Sequence, residues 1–112
     1  MYQRIDKINA LLRQEISLII AQEISDPRVS FTVSVVNVET SRDLGIARVY
    51  VTVLGDVEHT KKSLEGLNSA SNFIRRSLRK KINLKKIPSV EFLDDNSIEL
   101  GAIMSKKIDG LF

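Results

Sequence analysis

The sequence contains no cysteine. Disulfides, thiolate nucleophiles and thiolate-bound zinc are thereby excluded, and a reducing compartment suits the chain. Histidine occurs once, at His59, so no His-based metal motif is available. Proline occurs only at Pro27 and Pro88, and the few glycines form neither a phosphate-binding loop nor a nucleophile elbow. No apolar run approaches the roughly 20 residues needed to span a bilayer. The N-terminus has no basic segment followed by an apolar one, so no signal peptide is expected and the chain is read as cytoplasmic.

What is present is an ordinary globular composition. With 28% charged and 43% hydrophobic residues in a chain of 112, one domain over residues 1–112 is expected, long enough to bury a core. The net charge is only +3, but it is unevenly spread. Residues 1–56 carry 6 basic and 7 acidic side chains, whereas residues 57–112 carry 11 and 7.

The excess sits between Asp56 and Pro88. Apolar residues recur there at Leu64, Leu67, Ile74, Leu78 and Ile82, a helical period. At about 100° per residue, Ile74, Leu78 and Ile82 share one face, and Arg75, Arg76, Arg79, Lys80 and Lys86 share the opposite one. Lys81 and Lys85 complete the basic cluster. The pattern lets this helix run from Val57 to about Leu84, with Gly55-Asp56 as break and N-cap. Its weak point is Ala70-Ser71-Asn72. Ser and Asn favour local side-chain-to-backbone bonds, and Asn tolerates the left-handed region. Two helices meeting there at a kink are expected, with Asn72 non-helical, left-handed or next to a break in the hydrogen-bond ladder.

The other elements follow from the same reasoning. Arg4 to Ile24 reads as a helix whose buried stripe is Ile5, Ile8, Leu12, Ile16 and Ile19, widened by Leu11, Leu18 and Ile20. Asp26-Pro27 ends it. Val29 to Glu39 reads as a strand in which Phe31, Val33 and Val35 alternate with Thr32, Ser34 and Val36. After a polar loop from Thr40 to Gly45, a second strand, Ile46 to Leu54, turns Ala47, Val49, Val51 and Val53 to the core. The short connection makes an antiparallel hairpin. Pro88 leads into a third strand, Ser89 to Leu93, with Val90 and Phe92 inward. Asp94-Asp95-Asn96 is a turn, and Asn96 with Glu99 has capping-box form, starting a short helix over Ser97 to about Lys107. The expected fold is α+β: a hairpin and a helical crossover to a third strand, with helices on one face of the sheet.

Few residues are equipped for catalysis. His59 lies in a first helical turn among Glu58, Lys61 and Lys62 and reads as solvated. Asp94, Asp95 and Glu99 have the composition of a hard-metal cluster, but a capped turn explains them. No catalytic residue, cofactor or metal is expected. Arg4, Arg13 and Arg28 could touch RNA, but a solvated helix face is the preferred role for most of them; Arg4, Arg13 and the loop from Ser41 to Gly45 are the second place to seek RNA contacts. The basic helix is the candidate site: phosphate binding needs several Lys or Arg side chains reaching one surface together. Phe73 lies near Arg76 and Lys80 on the wheel. A kink that rotates the helix would put it in the core; otherwise it is placed to stack on a base.

Several short stretches match a known family. They are Asp26-Pro27-Arg28, Ser41 with Asp43-Leu44, and Ala47-Arg48-Val49-Tyr50-Val51. Leu67-Asn68-Ser69-Ala70, Phe73-Ile74-Arg75, Pro88 with Phe92, and Asp95-Asn96-Ser97 continue the series. In this order and spacing the chain resembles ribosome-binding factor A of bacteria over essentially its whole length. The resemblance implies a type II KH-like fold and a monomer without enzymatic activity. It implies binding to the small (30S) ribosomal subunit and its 16S rRNA, without membrane association, during late maturation. Support of 16S rRNA 5′-end processing and of growth in the cold is implied as well. Members of the family bind near the decoding region and hold immature rRNA out of its final position. They carry an Ala-x-Gly kink in place of the Gly-x-x-Gly loop of ordinary KH domains; here Ala70-Ser71-Asn72 has Asn in the Gly position. The usual KH clamp on single-stranded RNA is therefore not carried over. The resulting expectation is a non-catalytic rRNA-binding assembly factor whose phosphate contacts are Arg75, Arg76, Arg79, Lys80, Lys81, Lys85 and Lys86. The alternative is a protein-interaction adaptor that sets the same basic face against an acidic partner.

Overall fold

The computed structural model describes residues 4–29 and 33–95. In chain order these form α1 (Arg4–Glu23), β1 (Val33–Thr40), β2 (Ile46–Val53), α2 (Val57–Ser69), α3 (Ser71–Lys81) and β3 (Ser89–Asp94). The sheet order is β1-β2-β3, antiparallel between β1 and β2 and parallel between β2 and β3. The parallel pair requires a crossover, which α2 and α3 supply. Their apolar stripes and that of α1 lie against a single face of the sheet, giving the expected α+β layers. The expected helix after Asn96, with its Asn96–Glu99 cap, falls outside the described residues, as does Phe31. No described helix is long and apolar enough to cross a membrane.

The core is one cluster. Ala47, Val49 and Val51 of β2 are fully buried, as are Leu12, Ile16 and Ile19 of α1 and Leu67, Ile74 and Leu78 of the crossover. Phe92 and Val90 of β3 close it at one edge and Val38 of β1 at the other. β2 is the central strand, so its inward residues meet side chains from both neighbours and from the helices above. The burial of α1 is narrower than expected. Ile8, Leu12, Ile16, Ile19 and Ile20 are buried, but Leu11 and Leu18 face solvent. A three-stranded sheet offers α1 one layer to rest on, and the far side of its stripe finds no second.

β1 departs from simple alternation. Its register against β2 shifts between Val35 and Asn37, leaving Val36 as a bulged extra residue. Val36 is exposed while Val38 is buried, so two inward positions lie three residues apart. The strand also begins later than expected. Residues 26–29 form a turn closed by the Val29 amide donating to the Asp26 carbonyl at 3.0 Å. This turn is clamped internally by Arg28, whose guanidinium reaches Asp26 at 2.7 Å. It docks on α2, where Ser63 Oγ donates to the Arg28 carbonyl. Gly66 permits the approach: a Cβ there would stand 2.7 Å from Val29 Cγ2.

The crossover is two helices, and the break falls at Ala70, the first residue of the expected Ala70-Ser71-Asn72 kink. Ala70 has φ −89° and ψ 3°, between α2 and α3. Its amide donates to the Gly66 and Leu67 carbonyls, and its carbonyl accepts from the Ile74 amide. Asn72 is inside α3, and the only non-glycine residue at positive φ among the described residues is Leu44. Asn72 is therefore neither non-helical nor left-handed, and of the three alternatives expected for it the break in the ladder just before it is the one that fits. A backbone near ψ 0° at Ala70 is open to any residue, so no left-handed position is required. α3 also stops early. Ile82 is already extended, which turns Ile82 and Ile87 into the core and takes Lys85 and Lys86 off the helix.

Candidate nucleic-acid interface

The polarity of α3 comes from its sequence. Ile74, Ser77 and Leu78 are buried against α1 and the sheet. Counting about 100° per residue from that face, Arg76, Arg79 and Lys80 point away from it. All three are exposed, and none forms an ion pair among the described residues. Phe73 is 40% exposed and sits one turn before Arg76 on the same flank. It does not enter the core, because the side of α3 turned inward is the one carrying Ile74, Ser77 and Leu78.

The remaining four cations are placed differently. Arg75 leans sideways, and its Nε donates to the Ile87 carbonyl at 3.0 Å. That bond ties α3 to the segment leading into β3. Lys81 lies on the α1 side, with Nζ 3.1 Å from Glu23 Oε2. Ser77 Oγ donates to the same carboxylate at 3.0 Å. Hydrogen bonds from Lys81 and then Ser77 hold the Glu23 carboxyl below its usual range. Lys85 and Lys86 are exposed beyond the helix end, where Lys86 Nζ approaches the Asp43 carbonyl at 3.4 Å. Of the seven expected contacts, three therefore share one exposed face, two brace the fold, and two lie beyond the helix end, where Lys86 reaches the β1–β2 loop.

That loop is tightly built. Ser41 Oγ accepts from the Gly45 and Ile46 amides at 3.1 and 3.0 Å. It donates to Asp43 Oδ1 at 2.8 Å. This hydroxyl, followed by the Gly45 amide, lowers the Asp43 pKa. Leu44 takes φ 59° within the loop. At the far end of the crossover, His59 is exposed and hydrogen-bonded to its cap, Asp56, at 2.7 Å. Among the described residues, no three His, Asp or Glu side chains come together as a cation site.

One structural role was not anticipated from sequence. Asn68, on α2, lies over the outer edge of β3. Its Oδ1 accepts from the Phe92 amide at 2.8 Å, and its Nδ2 donates to the Phe92 carbonyl at 3.2 Å. The carboxamide imitates a strand neighbour and covers an otherwise unpaired edge. Only the tertiary approach of α2 to β3 reveals this, since a helical Asn carries no such signal in sequence.

Comparison with known proteins agrees with this architecture. The family model of ribosome-binding factor A matches residues 4–108. The ribosome-binding factor A of Acetivibrio thermocellus is 44% identical over 107 residues, covering 96% of this chain and 87% of that protein. That of Agathobacter rectalis is 48% identical over 103 residues, covering 92% and 85%. The crystal structure of ribosome-binding factor A from Thermus thermophilus superposes with a TM-score of 0.71 at 26% identity, covering 83% of this chain and 97% of that one. A Thermus thermophilus ribosome-binding factor A homology model, fitted into a cryo-EM map of a 30S complex, gives 0.62 at 27% identity, covering 76% and 88%. With a family match over nearly the whole chain, relatives above 40% identity and the same helix and strand order, this chain belongs to the ribosome-binding factor A family.

Proposed function

We propose that this protein is a non-catalytic assembly factor that binds the small ribosomal subunit and grips 16S rRNA through the backbone phosphates. The observation that carries the reading is the exposed set Arg76, Arg79 and Lys80 on the outer face of α3, none of them in an ion pair among the described residues. Cations held on a rigid helix reach successive phosphates at little entropic cost, and each contact releases condensed counterions. Phe73 beside them offers a sequence-tolerant stacking surface. Lys85 and Lys86 lengthen the track, whereas Arg75 and Lys81 support it by fixing α3 to its neighbours. Support for this partner comes from the relative fitted into a 30S complex. Late maturation of the subunit and processing of the 16S rRNA 5′ end are the steps proposed to depend on that binding.

The test is salt-titrated co-sedimentation with purified small subunits. Arg76→Glu with Lys80→Glu should fold normally, since neither side chain touches the core, and should bind far more weakly. Neutral Lys80→Gln should reduce the slope of log affinity against log salt by roughly one or somewhat less. Wild-type affinity and slope in the double variant would sink the proposal. Retained subunit binding with lost capture of an acidic protein would favour the adaptor reading.

A further inference from the structure

Arg4, Ile5 and Ile8 of α1 meet Arg42 and Leu44 of the β1–β2 loop around a cleft of about 440 Å³. Its floor is aliphatic: Ile8 is buried, and Ile5 and Leu44 are half-buried. Its rim carries two exposed guanidinium groups, neither in an ion pair among the described residues. The loop is held rigid by the Ser41 hydroxyl, which accepts two amides and binds Asp43. Leu44, half-buried on the floor, is kept at φ 59°, a conformation a branched apolar residue adopts only where its surroundings impose it. The one carboxylate in the loop, Asp43, is exposed but engaged by Ser41 and the Gly45 amide, has Lys86 for a neighbour, and does not line the cleft. The charged groups that line the cleft, Arg4 and Arg42, are both cationic.

The geometry points to a single-nucleotide site: an unstacked base of single-stranded RNA lies on Ile5, Ile8 and Leu44, with Arg4 and Arg42 on its face and flanking phosphates. A guanidinium plane is one of the surfaces on which a splayed-out base stacks, and an aliphatic floor takes the base's apolar surface out of water. Pure phosphate binding would need the arginines but not the apolar floor, and an acidic protein would need no concavity. Lys86, whose Nζ reaches the Asp43 carbonyl, joins this cleft to the α3 face. The inference rests on the RNA-binding reading and extends it to a second, base-dependent contact at the opposite end of the basic surface.

The experiment measures binding of a labelled uridine oligomer of about ten nucleotides, a length suited to single-strand sites, to the full chain. An abasic oligomer of equal charge is the control. Arg4→Ala with Arg42→Ala is expected to weaken uridine-oligomer binding about tenfold, the order of one lost stacked base. Wild type should bind the abasic oligomer about as weakly as the variant binds the uridine one. Equal binding of both oligomers by wild type, unchanged binding in the variant, or no binding of the uridine oligomer at all overturns the site. Arg76→Glu with Lys80→Glu, tested in parallel on small subunits, separates the two ideas. Wild-type sedimentation of that pair alongside a base-dependent loss in the cleft variant rejects the α3 reading alone. The converse rejects the cleft alone.

Discussion

Asn68 and Glu23 show how single polar residues hold this small fold together. Asn68 works because a carboxamide donates and accepts at once, matching both groups of Phe92. Asn68→Asp keeps the size but removes the donor, setting a carboxylate oxygen against a carbonyl. A loss of about 1–3 kcal/mol is expected, the cost of an unmatched polar group at a partly buried edge. Urea denaturation measures it; an unchanged midpoint would mean that water satisfies the edge. Glu23 sits at the C-terminal end of α1, where a negative charge opposes the helix dipole. It is retained by Lys81 and Ser77, and its pKa is lowered, as are those of Asp26, Asp43 and Asp56. A carboxylate with a depressed folded-state pKa leaves the unfolded chain binding more protons in acid. The stabilisation is complete above the ordinary values of 4.5 for Glu and 3.8 for Asp and is lost as pH falls through the lower folded values. The melting temperature should hold from about pH 7 to 5 and drop below that, and Glu23→Gln should flatten part of the drop. An identical acid profile in that variant would assign the effect to the other three groups.

Between elements, the decisive feature is the break at Ala70. The helix after it turns Ile74, Ser77 and Leu78 inward, so Phe73, Arg76 and Lys80 are on the exposed side. Because Asn72 is an ordinary helical position near the start of α3, Asn72→Gly should lower stability by about 0.3–0.5 kcal/mol, the propensity difference between the two. A left-handed Asn72 would give the opposite sign, so the thermal shift of this one variant discriminates the two geometries. The bulge at Val36 is the corresponding feature of β1. It brings Val38 to the core face although simple alternation assigns it to the outer one.

For the whole molecule, one face of the sheet carries the core, and Val51 is at its centre, fully buried on the central strand. Val51→Asp would bury a charge with no cation beside it, at roughly 3–5 kcal/mol after relaxation. That is a large part of the stability of a small domain, so the cooperative thermal transition should disappear. A variant that melts like wild type would mean β2 presents its other face inward. The proposed binding face and the core are opposite sides of the same helix, which is why charge reversal on α3 is expected to separate binding from folding.

Order and type of the six described elements were determined by sequence alone. Hydrophobic periods of 3.6 and 2 are local properties, and Pro27, Asp56 and Pro88 punctuate them wherever the chain folds. The inward set Ala47, Val49, Val51, Val53, Val90 and Phe92 follows from the same alternation. The family was legible too, because short stretches kept their spacing along the chain. Tertiary structure decided what depends on partners distant in sequence. Arg75 is diverted to Ile87 twelve residues on, and Lys81 to Glu23 on α1, so a run that reads as one basic cluster of seven becomes three cations without an ion pair among the described residues, two braces and two lysines beyond the helix end. Asn68 has its role only because β3 passes beneath it. The cleft between Arg4 and Arg42 exists only once the β1–β2 loop closes against the start of α1. Periodicity reports which side of an element is apolar; it carries no information about which distant group the polar side will meet.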